Sequence, residues 1–320
     1  MKNIVFLGDP HLSDRQISTR VDDTTETCLE KFEWVLNFAK KNGADIICTG
    51  DVFTHTLFNN RTRYRLKKAF QDFIWNGGTF FSCAGNHSGD VEDRNPDSVI
   101  YRELGQFCLD GYIRFLGRFD NDSLDYRVPP GSYIRGYSAY SELNTSDADK
   151  VIGLVCHHWI MDAFGDTLVV YPDDMRRVFP NLKFIVAGHD HAYHPSYMAR
   201  DGVMVVRPGS MMRTDAGKAS DRIPLVNLVT VEEGASGVLR FTWDEVPIAC
   251  ARPYSEVFYT EKRDINAESV NALSRFVRQM QDHSTAVMDI QSAVREQLAL
   301  VPAADQGMVK ADLASNGFMI

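Results

Sequence analysis

The sequence predicts an α/β fold, and three observations carry that prediction. Short, uniformly apolar runs recur along the first part of the chain, at 4–7, 45–49, 79–84, 151–156 and 183–187. Runs of this length without polar alternation suit strands covered on both faces. Segments with helical spacing lie between several of them, and Gly or Asn residues punctuate the joins. Strand, helix and strand in succession place helices on the faces of a largely parallel sheet.

The elements follow in order. Residues 2–7 read as a strand. Residues 24–42 read as a helix, because Cys28, Phe32, Val35, Leu36 and Ala39 share one face, and Gly43 fits its C-terminal stop. A strand at 45–49, a helix at 61–75 ended by Gly77-Gly78, and a strand at 79–84 come next. Residues 98–109 suit a helix, and 151–156 and 183–187 suit further buried strands. From 202 to 246 the texture changes to strands at 203–206, 223–231 and 238–246, expected to form a second sheet packed on the first. Beyond Pro247, residues 254–260 suit a strand, and 267–281 and 284–300 two helices. The tail from Pro302 is small and polar, expected to be loosely ordered. The expected division is therefore 1–246 and 247–320.

Bulk properties bound the function. A chain of 320 residues, 44% hydrophobic, is ample for a full core. The apolar run at 4–7 is too short for a signal segment, and no stretch has the length of a membrane-spanning helix. The expectation is a cytoplasmic protein (host cytoplasm if virus-encoded) with no membrane partner. None of the six cysteines forms a C-x-x-C pair, so structural zinc is not expected. Cys48, Cys83 and Cys156 end apolar runs and read as small buried residues. A net charge of −9 argues against a broad basic surface for nucleic acid. It leaves a nuclease open, since bound cations reverse the local sign at a site.

Five motifs carry the chemistry: Asp9-Pro10-His11, Gly50-Asp51, Gly85-Asn86-His87, His157-His158 and Gly188-His189-Asp190-His191. Each follows an apolar run, so each is expected at the carboxyl end of a strand, where α/β folds collect ligands. Carboxylate, amide and imidazole donors suit a two-cation phosphoester-cleaving centre. Asp51 is the candidate bridge, because a carboxylate offers two oxygens and offsets the repulsion between cations. Asp9 and His11, at i and i+2, face one way in an extended segment and can share a cation; the same spacing recurs at His189 and His191. Asn86 offers a neutral oxygen. His87, the next residue, points elsewhere and suits acid chemistry on a leaving oxygen. His157 is the expected remaining donor, with His158 as the competing choice.

Taken together, these motifs resemble the calcineurin-like metallophosphoesterase superfamily over residues 1 to about 246. The resemblance implies a four-layer α/β sandwich, two mixed sheets flanked by helices, with a small C-terminal α/β or helical extension. It implies two divalent metals, manganese being the expected one: Asp9, His11, Asp51 and His191 on the first, Asp51, Asn86, His157 and His189 on the second. His87 would be the catalytic histidine. Gly50-Asp51-Val52-Phe53, Arg207-Pro208-Gly209-Ser210 and the charged entry at Arg20-Val21-Asp22-Asp23 resemble the SbcD and meiotic recombination eleven nuclease branch. That branch implies a DNA nuclease of repair and recombination, acting as exonuclease on duplex ends and endonuclease on single strands. It further implies an SbcC-like coiled-coil ATPase partner, bound through the 267–300 region unless that region is a cap, and a homodimer paired through 61–75 and 98–109. Ser210, Arg207 and Arg213 at the Pro-Gly-Ser turn, and His55, are the expected substrate contacts. Ser88 stands where many relatives carry Asp. The competing expectation is a phosphoesterase acting on a nucleotide or other small phosphoester. A metal-free scaffold would need a missing donor, and none is missing.

Overall fold

The structure is a computed structural model. It describes residues 1–54, 59–88, 103–119, 122–139, 141–160, 169–199, 202–214, 216, 221–234 and 238–259. The first compact unit runs Met1–Phe258. His55 and the expected helices at 267–281 and 284–300 lie outside the described residues.

In chain order the elements are β1 (Lys2–Leu7), α1 (Thr24–Lys41), β2 (Ala44–Cys48), α2 (Asn60–Trp75), β3 (Phe80–Ser82), α3 (Glu103–Leu109), β4 (Arg114–Phe115), β5 (Gly117–Phe119), β6 (Asp122–Leu124), β7 (Tyr126–Val128) and β8 (Ser132–Tyr137). Then follow β9 (Val151–Cys156), β10 (Trp159–Ile160), β11 (Val169–Val170), α4 (Pro172–Val178), β12 (Phe184–Ala187), β13 (His194–Met198), β14 (Met204–Arg207), β15 (Leu225–Glu233), β16 (Leu239–Pro247) and α5 (Tyr254–Val257).

Two six-stranded sheets dominate, ordered β16-β15-β1-β2-β3-β4 and β13-β14-β12-β9-β8-β7. Both are mixed. β1 to β4 run parallel while β15 and β16 run antiparallel. β8, β9, β12 and β14 run parallel while β7 and β13 run antiparallel. Strand alternation assigns the side chains to layers. Val5 and Leu7 of β1 pack with Phe32 of α1, Phe70 of α2 and Phe107 of α3. Ile4 and Phe6 join Phe184 and Val186 of β12 between the sheets. Ile185 and Ala187 pack with Met175 and Val178 of α4 on the far side. Helix, sheet, sheet and helix make the expected four layers.

α1 is held at its start by Asp23, whose side chain accepts from the Glu26 N–H, and at its end by Asn42. Buried Arg20 pairs with Asp22 through two hydrogen bonds of 2.9 and 2.7 Å, so the charged entry is an internal ion pair.

Three expectations need correction. The strands after residue 202 do not form a sheet of their own. β14 joins β12 in the second sheet, and β15 and β16 return to the first, against the free edge of β1. The segment read as a strand at 254–260 contains the short helix α5 instead. The chain beyond Pro247 also stays with this unit: Ile248 and Phe258 are buried, and Val21 N donates to Val257 O. The strands β4 to β8 were not anticipated; several are only two or three residues long.

Candidate metal centre

The parallel strands end on a common edge, and each motif begins there. Asp9 lies just past β1, Asp51 past β2, Asn86 past β3, His157 past β9 and His189 past β12. The chain turns abruptly at these points. His11, Asp51 and His189 all have positive φ, 48°, 42° and 74°. A turn, and not the i, i+2 alternation of an extended strand, therefore brings Asp9 and His11 together. Two glycines make room. Gly50 has φ 124°, and a Cβ there would stand 2.6 Å from His157 Nδ1; a Cβ on Gly85 would stand 2.0 Å from Asp51 Oδ1.

The side chains gather in two adjoining groups. In the first, Asp9, His11 and His191 bring donor atoms within 4.8 Å of one another. His11 Nε2 lies 2.8 Å from His191 Nε2, and 3.9 Å from Asp51 Oδ2. In the second, Asn86 Oδ1 lies 2.8 Å from His157 Nε2 and 3.0 Å from His189 Nδ1. Asp51 stands between them, with Oδ2 3.3 Å from His157 Nε2. His189 and His191 thus face different groups despite their shared spacing. Between His157 and His158 the geometry is plain: His157 meets Asp51 and Asn86, whereas the His158 ring stacks on Tyr137 at 4.0 Å.

The electrostatics suit a cation. Burial would raise the Asp9 carboxyl, but His157, His11 and His191 outweigh it and hold Asp9 well below the usual carboxylate range. Asp51 is likewise brought down to about 2 against its burial, chiefly by His157. Burial, reinforced by His191, lowers His11 to about 4. Burial opposes the charge on His157, yet Asp51 and Asp9 push it up to about 10. Asp51 Oδ2 is buried and has no hydrogen-bond partner among the described residues. Ionised carboxylates, an orphaned oxygen and paired imidazoles fit hard divalent cations.

His87 is exposed beside this cluster. Its backbone N–H donates to Asp51 Oδ1 at 2.9 Å, and its ring meets His11 edge-on with centroids 5.3 Å apart.

Two expected substrate contacts are corrected. Arg213 is buried and donates to the carbonyls of Arg222 and Arg252. Ser210 is buried too, with its hydroxyl donating to Met212 O. The turn's amides are also engaged: Ser210 N donates to His191 O, and Met211 N to the carbonyls of Gly8 and Asp9. The Pro-Gly-Ser turn therefore buttresses the cluster. Arg207 is half-buried and lies over the Tyr197 ring.

Sequence reasoning missed several supports. Thr49 Oγ1 donates to Asp9 Oδ1 at 2.7 Å, and its place directly before Gly50-Asp51 was the available signal. Thr54 Oγ1 lies 3.1 Å from His11 Nδ1. Trp159 meets His189 edge-on. His194 pairs with Asp190 at 2.7 Å. Arg222 donates to His191 O and Ser210 O, and no motif pointed to it.

Donors of this chemistry, gathered where parallel strands end, suit divalent cations and are the kind a phosphoester-cleaving centre requires. Residues 2–193 match the calcineurin-like phosphoesterase family, and the chain belongs to it. The match is to the family and not to a branch of it. Comparison with curated protein sequences gives no match. Among solved structures, a putative 5′-nucleotidase from Staphylococcus aureus aligns at 12% identity and TM-score 0.45, over 82% of this chain and 56% of that one. A 5′-nucleotidase precursor from Thermus thermophilus aligns at 14% identity and TM-score 0.44, over 88% and 59%. Vps29 from Entamoeba histolytica, complexed with zinc, aligns at 11% identity and TM-score 0.33, over 76% and 98%. The chain spans less than two thirds of the length of either nucleotidase. Likeness at this level says nothing of substrate.

Proposed function

We propose that the chain hydrolyses a nucleotide or other small phosphoester, using two divalent cations. The observation that carries this is the double cluster itself, with the buried Asp51 Oδ2, which accepts no hydrogen bond among the described residues, between its halves. Asp9, His11, Asp51 and His191 would hold one cation, and Asp51, Asn86, His157 and His189 the other. Bound cations would draw charge from the phosphoryl oxygens and activate the nucleophile. Thr49 and the His189 N–H fix the two oxygens of Asp9. His87, tethered through its backbone to Asp51, is free to turn its ring to the leaving oxygen and protonate it. Manganese is the first metal to try, with iron and zinc next, because these donors suit all three.

The small substrate is preferred over DNA because Ser210 and Arg213, the contacts a nuclease reading relies on, serve the fold. The net charge of −9 points the same way. The test is hydrolysis of nitrophenyl esters and 5′-nucleotides beside linear duplex and single-stranded DNA, with manganese and with chelator. Manganese-dependent release from the small esters is expected. Cleavage of DNA alone would replace this reading with the SbcD-like nuclease, and the search for an SbcC-like ATPase and a homodimer would follow. Inertness toward every substrate with manganese, iron and zinc would refute both.

A further inference from the structure

Behind the 208–213 turn the structure gathers a second, unlike concentration of charge. Arg20, Lys31 and Arg213 are buried there, with Arg222 half-buried beside them. Among the described residues, Asp22 is the one carboxylate in hydrogen-bond contact with any of the four, and Arg20 occupies it. Among the described residues, Arg213 and Arg222 hydrogen-bond only to backbone carbonyls and the Ser210 hydroxyl. Lys31 has a carbonyl at 3.4 Å and the Met212 sulfur at 3.8 Å. Nε and Nη1 of Arg222 and Nε of Arg213 are buried with no acceptor among the described residues.

Cationic N–H groups withdrawn from water without an acceptor destabilise a fold, and excess positive charge in one place adds to this. The group that would satisfy all of this is an oxyanion. A phosphate has the charge and the several acceptors that a guanidinium with unmet donors calls for.

We propose that Arg222 receives a phosphate group, its N–H groups that lack an acceptor among the described residues donating to the anion's oxygens while Arg213 adds positive potential behind it. Arg222 also holds the His191 carbonyl at 2.8 Å, so this anion lies next to the cation cluster. The phosphate is either a second phosphate on the substrate, which rests on the function proposed above, or free inorganic phosphate.

The first experiment removes the cations. With chelator present, inorganic phosphate should raise the melting temperature of the full chain beyond what chloride does at equal ionic strength. Calorimetry should show phosphate binding weakened at least about tenfold in Arg222→Gln and less in Arg222→Lys, as loss of a charge-assisted contact implies. No stabilisation of the unaltered chain, or equal binding by Arg222→Gln, would overturn the proposal. The second experiment restores manganese and compares an ester bearing a second phosphate with its monophosphate counterpart. A lower KM for the former identifies the substrate's second phosphate, and equal KM values identify free phosphate as the ligand. If no ester is hydrolysed at all, the proposed activity fails while the phosphate binding measured under chelator stands on its own.

Discussion

Asp51 keeps one oxygen for the His87 amide and leaves the other buried beside His157 with no hydrogen bond among the described residues, and that division sets the first prediction. Because the His87 tether is backbone, removing its side chain should spare the cluster. His87→Ala should lower kcat by about 10²–10⁴-fold with bound metal unchanged by elemental analysis. Equal turnover by the variant would remove His87 from the chemistry. Thr49 acts one step behind. Thr49→Val strips the hydroxyl from Asp9 Oδ1, and manganese affinity should fall about 10–100-fold, read by titration calorimetry; unchanged affinity would count against the link. At this scale the donors were legible because their motifs are short and local. Arg222 was not, since no motif holds it and its partner His191 lies far away in sequence, while Thr49 was marked only by its place before Gly50-Asp51 and not by its distant partner Asp9. Ser210 and Arg213 look like surface groups in sequence, and only packing reveals them as buried.

Elements differ in how plainly they announce themselves. α1 was readable from its apolar stripe, and its start is now explained by Asp23. Asp23→Ala should lower stability by about 1 kcal/mol in urea unfolding, with metal binding unaffected. Strands of two or three residues such as β4 and β7 carry too little pattern to read. The joint between β3 and its motif is tighter than any periodicity shows. Gly85→Ala would drive a methyl into Asp51, and metal content should collapse while the circular dichroism of the fold persists. A variant that still loads both cations would mean that the carboxylate can step aside.

For the whole molecule, the layer order was foreseen and the sheet membership was not. Pairing of β1 with β15 joins residues more than two hundred positions apart, which no local pattern encodes. Long-range packing also decides a pH response. Burial, then Arg213 and Arg20, pull Lys31 from 10.5 down to about 7. Between those values the unfolded chain holds a proton that the folded chain has shed, so this group's contribution to stability rises with pH above about 7 and its penalty is full below. Lys31→Met should be the more stable form at pH 6.5, and its advantage should shrink by about 1–2 kcal/mol by pH 8.5. A constant gap in urea denaturation would show that Lys31 does not titrate there. The β1–β15 pairing has one more consequence, for synthesis. A ribosome releases every side chain of the metal cluster by His191, yet the strand that seals the edge of β1 emerges only with residues 225–233. Until then the nascent chain carries an open strand edge beside an unfinished site, a state that invites wrong pairing. Chaperone dependence during translation should therefore fall sharply once β15 clears the exit tunnel.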